Sequence, residues 1–335
     1  MAMPEIPRSF TNKQVLVVGG TGLIGSPLVE LLIAEGAKVR IVSLDHPSRA
    51  HKEAEFKQLD LREPKNCLKA CHNMDYVFSL FGIKGSPLMT KKRPATFFVP
   101  TITVGTNLME AARLCGVRGY LYTSSLGIYH PAEVFYEDDA WKAPPSENDK
   151  FAGWAKRMGE LQAEAYQIEY DWNDITIVRP ANTYGPRDNF DSENSMVIPS
   201  LIKRAIEASE ARQPLVVWGD GSPERDFVHA KDVALGILIA TIYGGGGIYN
   251  IGSGTSTTIR QLAETIVRYL SNKVEIIWDT SRPSGDRKRI MDISRIGAIG
   301  YRPEINLENG IRDTIEWYLK NRDTANARFD VFDSK

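Results

Sequence analysis

The fold follows from one segment, Val15-Leu-Val-Val-Gly-Gly-Thr-Gly-Leu-Ile-Gly25. Four apolar residues at its start are typical of a buried parallel strand, and the residues after it have the apolar spacing of a helix. Between them, Gly19 permits a tight turn, Gly22 lets the backbone approach a pyrophosphate, and Gly25 lets the helix pack close to the sheet. A glycine turn in this strand-to-helix context predicts a dinucleotide-binding site.

The rest of the chain alternates between strand-like and helical patterns. Further strands are predicted at 38–44, 56–59, 75–80, 119–124 and 174–179, and long helices near 96–116 and 152–170. This alternation predicts an α/β fold, a doubly wound parallel sheet of the Rossmann type over residues 1–180. Shorter elements over 181–321 predict a smaller α/β lobe for substrate, with some strands and helices returning to the first domain. Residues 322–335 are expected to form a loose tail.

The composition is that of an ordinary soluble globular protein. Of its 335 residues, 42% are hydrophobic and 25% are charged, and the formal net charge is -1. We therefore expect no nucleic-acid partner, and no membrane partner, since no apolar run approaches the about 20 residues that span a bilayer. The three cysteines are too few for a disulfide framework and the five histidines form no metal-binding set. A cytoplasmic protein without a metal is expected.

The end of the second predicted strand bears on the form of the cofactor. An acid there binds a free ribose 2'-hydroxyl, whereas small or basic groups accommodate a 2'-phosphate. The position eighteen residues after Gly25 is Ser43, and Arg49 follows soon after, which favours NADP. Asp45 is only two residues further and can reach the same hydroxyl, so NAD and NADP both stay open. The other predicted cofactor contacts are Thr21, Leu23, Ile24, Asp60, Leu61, Leu80, Phe81 and Pro180.

Five motifs in order resemble the extended short-chain dehydrogenases/reductases that modify nucleotide sugars. They span residues 13–320 and are Gly19-Gly-Thr-Gly-Leu-Ile-Gly25, Thr123-Ser-Ser-Leu-Gly-Ile-Tyr129, Gly153-Trp-Ala-Lys156, Arg179-Pro-Ala-Asn-Thr-Tyr-Gly-Pro186 and Arg225-Asp-Phe-Val-His-Ala-Lys-Asp232. The resemblance implies NAD or NADP as cofactor and a nucleotide sugar as substrate. It also implies a homodimer formed through the helices near 96–116 and 152–170.

Within that family the chain is most similar to the GDP-fucose synthases, which reduce and epimerise a GDP-4-keto-6-deoxy sugar. The likeness lies in the segments 184–190, 194–199, 216–219 and 278–285. It implies that the substrate contacts are Ser125, Asn182, Val197, Trp218, Arg225 and Arg282. Guanidinium forks and an aromatic plate suit a diphosphate and a base, although Trp218 is also compatible with a core position.

The family's chemistry uses a serine or threonine, a tyrosine, and a lysine four residues after the tyrosine. Ser125 and Lys156 match two of these roles, but Ala152 occupies the tyrosine position and cannot exchange a proton. The chain is therefore either a natural member that uses another group or an inactivated variant of an active enzyme. The candidates for that other group are a water molecule and three side chains, Lys84, Tyr129 and Tyr184.

Two further departures narrow the expected reaction. Gly127 and Met196 stand where GDP-fucose synthases carry the cysteine and histidine for 3,5-epimerisation. Leu126 and Gly127 stand where the 4,6-dehydratases carry an Asp-Glu pair, which disfavours that activity and makes it an alternative only. We expect hydride transfer at C4 of an NDP-hexose, with GDP favoured, in an epimerase or a reductase. A non-catalytic protein that binds cofactor and nucleotide sugar is the other alternative.

Overall fold

The computed structural model describes residues 10–191, 194–282 and 286–332. The strands in that part of the chain are β1 Gln14–Val18, β2 Lys38–Ser43, β3 Glu55–Gln58, β4 Tyr76–Ser79, β5 Gly119–Thr123, β6 Val134–Phe135, β7 Ile175–Pro180, β8 Asn182–Tyr184, β9 Leu215–Trp218, β10 Glu224–Arg225, β11 Phe227–His229, β12 Ile248–Ile251, β13 Thr257–Thr258, β14 Ile276–Asp279 and β15 Lys288–Met291. The helices are α1 Gly25–Ala34, α2 Pro64–Cys71, α3 Pro87–Lys92, α4 Pro94–Leu114, α5 Lys150–Tyr170, α6 Val197–Ala211, α7 Ala230–Tyr243, α8 Ile259–Arg268, α9 Ser294–Ala298 and α10 Leu307–Lys320.

Seven parallel strands form the main sheet, in the order β12-β7-β5-β4-β1-β2-β3. The strand order reverses at β1, between β2 and β4, and such a switch point opens a crevice at the carboxyl ends of the strands. The predicted α/β fold with a doubly wound parallel sheet is thus confirmed. Two elements beyond residue 181 belong to this domain. Strand β12 is an edge strand of the sheet, and helix α7 packs against the sheet and against α1.

Alternate residues of β1 build the two cores of the sheet. Val15 and Val17 face α1 and α7, and Leu16 and Val18 face the side covered by α2 and α4. All four side chains are buried. Because both faces of β1 are covered, its sequence is continuously apolar rather than alternating.

The smaller lobe is built from short strands and three helices. Its sheets have the orders β13-β10-β15-β6, β11-β8 and β14-β9. A third core joins α6, α8 and α10 above them. Within the described ranges, no helix is both long enough and apolar enough to cross a membrane.

The end of the chain differs from the loose tail expected from 322 onwards. Ala325 is 1% exposed and belongs to the core of the smaller lobe. Beyond it, the backbone N–H of Phe329 donates to Asp45 Oδ1 at 2.7 Å, and the Phe332 ring lies 5.3 Å from that of Phe97. Two apolar side chains, Ala325 and Phe332, and one main-chain hydrogen bond thus hold the segment against the folded domain. The polar composition of the segment gave no indication of these contacts.

Candidate active site

The glycine turn between β1 and α1 forms the floor of the site. Gly19 has φ +78, and its carbonyl accepts from the N–H of Gly22 at 3.0 Å. A Cβ on Gly25 would lie 2.1 Å from the Gly19 carbonyl oxygen, so only glycine allows this approach. No side chain among the described residues caps α1. The N–H of Ser26 already donates to Gly22 O at 3.0 Å and Pro27 has no N–H. The groups that fit the pyrophosphate of a dinucleotide are therefore the main-chain N–H groups of the turn at Leu23, Ile24 and Gly25, next to the positive end of the helix dipole.

A cavity of about 450 Å³ lies at the carboxyl ends of the strands, above this turn. Many of the residues predicted from the sequence line it together. They are Gly19, Thr21, Gly22, Leu23, Ile24, Gly25, Ser43, Asp45, Asp60, Leu61, Leu80, Phe81, Lys84, Ser125, Lys156, Pro180, Asn182 and Val197. The predicted contacts that do not line it are Arg49, Ala152, Trp218, Arg225 and Arg282.

At the β2 end of the cavity, a hydroxyl and a carboxylate interact. The Thr21 hydroxyl donates to Asp45 Oδ2 at 2.6 Å and lies 2.9 Å from Ser43 Oγ. Arg49 Nε is 3.5 Å from the same Asp45 oxygen, so Arg49 borders the site through Asp45. An acceptor for ribose hydroxyls and a nearby guanidinium thus coexist, and both NAD and NADP are compatible with this end.

At the α5 end, the ammonium of Lys156 is held by two backbone carbonyls. Its Nζ donates to Phe81 O and to Thr123 O, each at 2.7 Å. Burial lowers the pKa of Lys156 to about 8, although nearby Glu160 opposes this shift. A Cβ on Gly82 would lie 3.5 Å from Nζ, so the glycine keeps this side of the ammonium open.

Three consecutive residues with hydroxyl groups, Thr123, Ser124 and Ser125, line the cavity together with Lys156. Ser125 Oγ accepts from the N–H of Gly127 at 3.1 Å, which leaves its own hydrogen for a ligand. The hydroxyl oxygens of Thr123 and Ser124 are buried and have no partner within the described part of the chain, so they are not exposed to a ligand in the cavity.

Neither candidate tyrosine offers its hydroxyl to the cavity. The Tyr129 hydroxyl donates to Asn250 Oδ1 at 2.7 Å and accepts from Arg179 Nη1 at 2.9 Å, both inside the core. Tyr184 borders the cavity, but its hydroxyl lies against Gly310 of α10. Burial raises the pKa of both phenols. The structure therefore contradicts both tyrosines as substitutes for the absent one at position 152.

Lys84 is the candidate substitute that does line the cavity. Its ammonium donates to both oxygens of Asp188, at 2.9 and 3.1 Å, and to Thr183 O at 3.0 Å. The Asp188 side chain is almost completely buried. Sequence reasoning missed this carboxylate, because nothing local signals that residues 84 and 188 meet across the two domains.

Three of the predicted substrate contacts, Trp218, Arg225 and Arg282, do not line the cavity. Trp218 is 59% exposed, so its alternative interpretation as a core residue is wrong. The guanidinium of Arg282 lies 5.4 Å from the Trp218 ring centroid. Arg225 Nη1 donates to the carbonyls of Glu224 and Asp286, each at 2.7 Å. The last three residues of the 278–285 motif lie outside the described residues.

The fold and the cavity define a dinucleotide-binding α/β protein with a second, smaller lobe. The chain belongs to the NAD dependent epimerase/dehydratase family, whose model matches residues 15–252, well over half of its length. This match confirms the resemblance drawn from the five motifs.

Individual relatives agree with the family. Probable GDP-L-fucose synthase 1 from Oryza sativa subsp. japonica is 32% identical over 314 residues, which cover 92% of each chain. Among solved structures, UDP-glucose 4-epimerase of Thermotoga maritima with UDP-glucose is 27% identical, with a TM-score of 0.81 over 92% of this chain and 99% of that chain. UDP-glucose 4-epimerase of Thermus thermophilus in complex with NAD is 25% identical, with a TM-score of 0.78 over 91% and 99%.

Proposed function

We propose that the protein is an NAD(P)-dependent nucleotide-sugar oxidoreductase or epimerase that transfers hydride at C4 of an NDP-hexose. GDP is the favoured nucleotide, from the likeness to GDP-L-fucose synthases. The observation that carries the proposal is the common cavity of the glycine turn, Ser125 and Lys156. Hydride transfer requires the reacting sugar carbon to lie next to the nicotinamide and close to a proton donor. The glycine turn, Ser125 and Lys156 line one cavity, so a cofactor and a sugar bound there would be neighbours.

The proposal assigns each residue a role toward the cofactor and the sugar. The bound nicotinamide supplies or accepts the hydride. The main-chain N–H groups of the glycine turn hold the pyrophosphate at the N-terminus of α1, and Asp45 or Arg49 holds the adenosine ribose. Lys156 binds the nicotinamide ribose, while Ser125 donates a hydrogen bond to the C4 oxygen and orients it.

The proton needs a carrier, because Ala152 has none to give. We propose that a water in the cavity, held by Ser125 and Lys156, exchanges this proton with the C4 oxygen. A lysine pKa of about 8 suits such exchange near neutral pH. Lys84 is the second candidate, since it also lines the cavity.

One observation favours a second function, that of a non-catalytic protein binding cofactor and nucleotide sugar. Ala152 removes the group on which this family's acid-base chemistry depends. The 4,6-dehydratase alternative is weaker, because Leu126 and Gly127 supply no carboxylate beside Ser125. Retention of Lys156 and Ser125 in one cavity favours the enzyme.

A turnover assay with a panel of substrates tests the proposal. The protein is mixed with GDP-, UDP- or dTDP-linked hexoses in the presence of NAD+ or NADP+, and with their 4-keto forms in the presence of NADH or NADPH. Nicotinamide absorbance and sugar products are followed. We expect one nucleotide series to react, and Lys156→Met to abolish the reaction. Binding of a nucleotide sugar without any turnover would support the non-catalytic alternative.

A further inference from the structure

Residues 325–332, called here the strap, run from the smaller lobe across the edge of the cavity. The strap starts at Ala325, which is buried in the core of the lobe. It then meets the larger domain just after β2. Arg49 Nη1 donates to the carbonyl of Ala327 at 3.2 Å, and the N–H of Phe329 donates to Asp45 Oδ1 at 2.7 Å.

The far end of the strap is fixed at the start of α4. Arg93 Nη1 donates to the carbonyl of Phe332 at 2.7 Å, and its guanidinium lies 5.6 Å from the Phe332 ring centroid. The same ring packs against Phe97. The strap is thus held at three places, and residues 328–332 between them line the cavity.

With the strap in place, the cavity still measures about 450 Å³ and is still lined by Gly19, Gly22 and Gly25 of the glycine turn. A volume of this size is within the range of cofactor pockets. The strap therefore forms a wall of the site rather than filling it. Asp45 links the two, because this carboxylate accepts from the strap and also borders the predicted adenosine end.

We propose that the strap is a gate for the dinucleotide, which closes over the bound cofactor and must open before the cofactor leaves. The inference rests on the proposed function only in taking the cavity as the dinucleotide site. A closed strap slows exchange in both directions, because its hydrogen bonds and the Phe332 contact must break first. Slow exchange suits an epimerase, in which one cofactor molecule both takes and returns the hydride.

The test is the exchange rate of NADPH and NADH, measured by stopped-flow fluorescence on the full chain and on three variants. One variant ends after Asn326, which keeps Ala325 in place and removes the rest of the strap. Arg93→Ala releases only the far end of the strap, at Phe332, and replaces no residue that lines the cavity. Lys92→Ala, an exposed neighbouring lysine, is the matched control for loss of one positive charge.

We expect the truncation to raise both the association and the dissociation rates by about tenfold or more, since several contacts must otherwise break. Arg93→Ala should raise both rates less, and Lys92→Ala should leave them unchanged. Faster association with unchanged dissociation would overturn the gate, because the strap would then be a competitor of the cofactor. Unchanged rates in both strap variants would also overturn it. A full chain and variants that bind neither dinucleotide would contradict the cofactor site itself.

Discussion

Lys156 and Ala152 lie one helical turn apart on α5. Lys156 donates to two main-chain carbonyls, while burial opposes its charge. Under the proposed function, Ala152 occupies the position of the proton donor and has no group that exchanges a proton. We therefore propose that water and Lys156 carry the proton exchange.

The pKa of Lys156 has a consequence for stability. Its pKa is about 8 in the folded protein, compared with an ordinary value of 10.5. Between these values the unfolded chain binds more protons, so the contribution of Lys156 to the free energy of unfolding rises with pH. From about pH 7.5 to about pH 9.5, the wild type should gain about 2 kcal/mol relative to Lys156→Met. Urea unfolding at both pH values measures the difference.

Lys150→Met provides the control for that experiment, because this lysine lies on the same helix with a largely exposed side chain. Its difference from wild type should not change between the two pH values. If the difference in unfolding free energy between wild type and Lys156→Met does not change with pH, burial does not lower the pKa of Lys156.

Replacing Ala152 tests whether the missing phenol limits the reaction. Ala152→Tyr should raise kcat for hydride transfer by about 100-fold, which is within the usual contribution of a positioned proton donor, with little change in KM. Steady-state kinetics on the substrate found by the panel measures both constants. Ala152→Phe adds the same ring without the hydroxyl and should give no gain. Equal rates for the two variants would contradict the proposed role of this position.

The turn between β1 and α1 joins the main sheet to the cavity. It brings the Gly19 carbonyl and the Gly25 backbone into direct contact, and it leaves the N-terminus of α1 facing the cavity. The elements on either side are positioned by cores on both faces of the sheet. The turn is therefore rigid before any ligand arrives, which lowers the entropic cost of binding.

Gly25→Ala tests the contribution of this turn to cofactor binding. The new Cβ would lie 2.1 Å from the Gly19 carbonyl oxygen, so the turn must open and NADPH affinity should fall by about tenfold or more. A fluorescence titration measures the affinity. Gly105→Ala in α4 is the control, since its Cβ would approach only the Tyr122 ring, at 4.0 Å, and it should bind as wild type. Normal NADPH binding by Gly25→Ala would show that the turn is not part of the cofactor site.

Local patterns predicted the long elements and the glycine turn, because their signals lie within one stretch of chain. Helices α4 and α5 begin within two residues of the predicted starts, at Pro94 and Lys150. Strands β8, β10 and β13 were not predicted, since two or three residues carry no periodicity and pair with distant segments. The Lys84–Asp188 pair and the strap were missed for the same reason, because each joins parts far apart in sequence.

Helices α4 and α5 pack together and leave apolar side chains exposed. These are Val99, Leu114, Phe151, Leu161 and Ile168. Exposed apolar residues on two packed helices are what an association surface would require. We propose a symmetric homodimer in which the two helices of each protomer form a four-helix contact.

Ile168→Glu tests the dimer. This side chain is 79% exposed in the single chain, and a carboxylate there would be buried without a partner in the contact. Light scattering after size-exclusion chromatography should give a dimer for wild type and a monomer for the variant. Leu319→Glu, at an exposed leucine on α10, should stay dimeric. A monomeric wild type would contradict the proposed surface.

We propose that one cavity binds both a nicotinamide dinucleotide and a nucleotide sugar. Mass spectrometry of the small molecules released by denaturing the purified protein, before and after incubation with the nucleotide-sugar panel, identifies both ligands in one experiment. We expect NAD or NADP in the released fraction, together with one nucleotide hexose. A dinucleotide with no nucleotide sugar under either condition would contradict the proposed enzyme and favour a cofactor-binding protein.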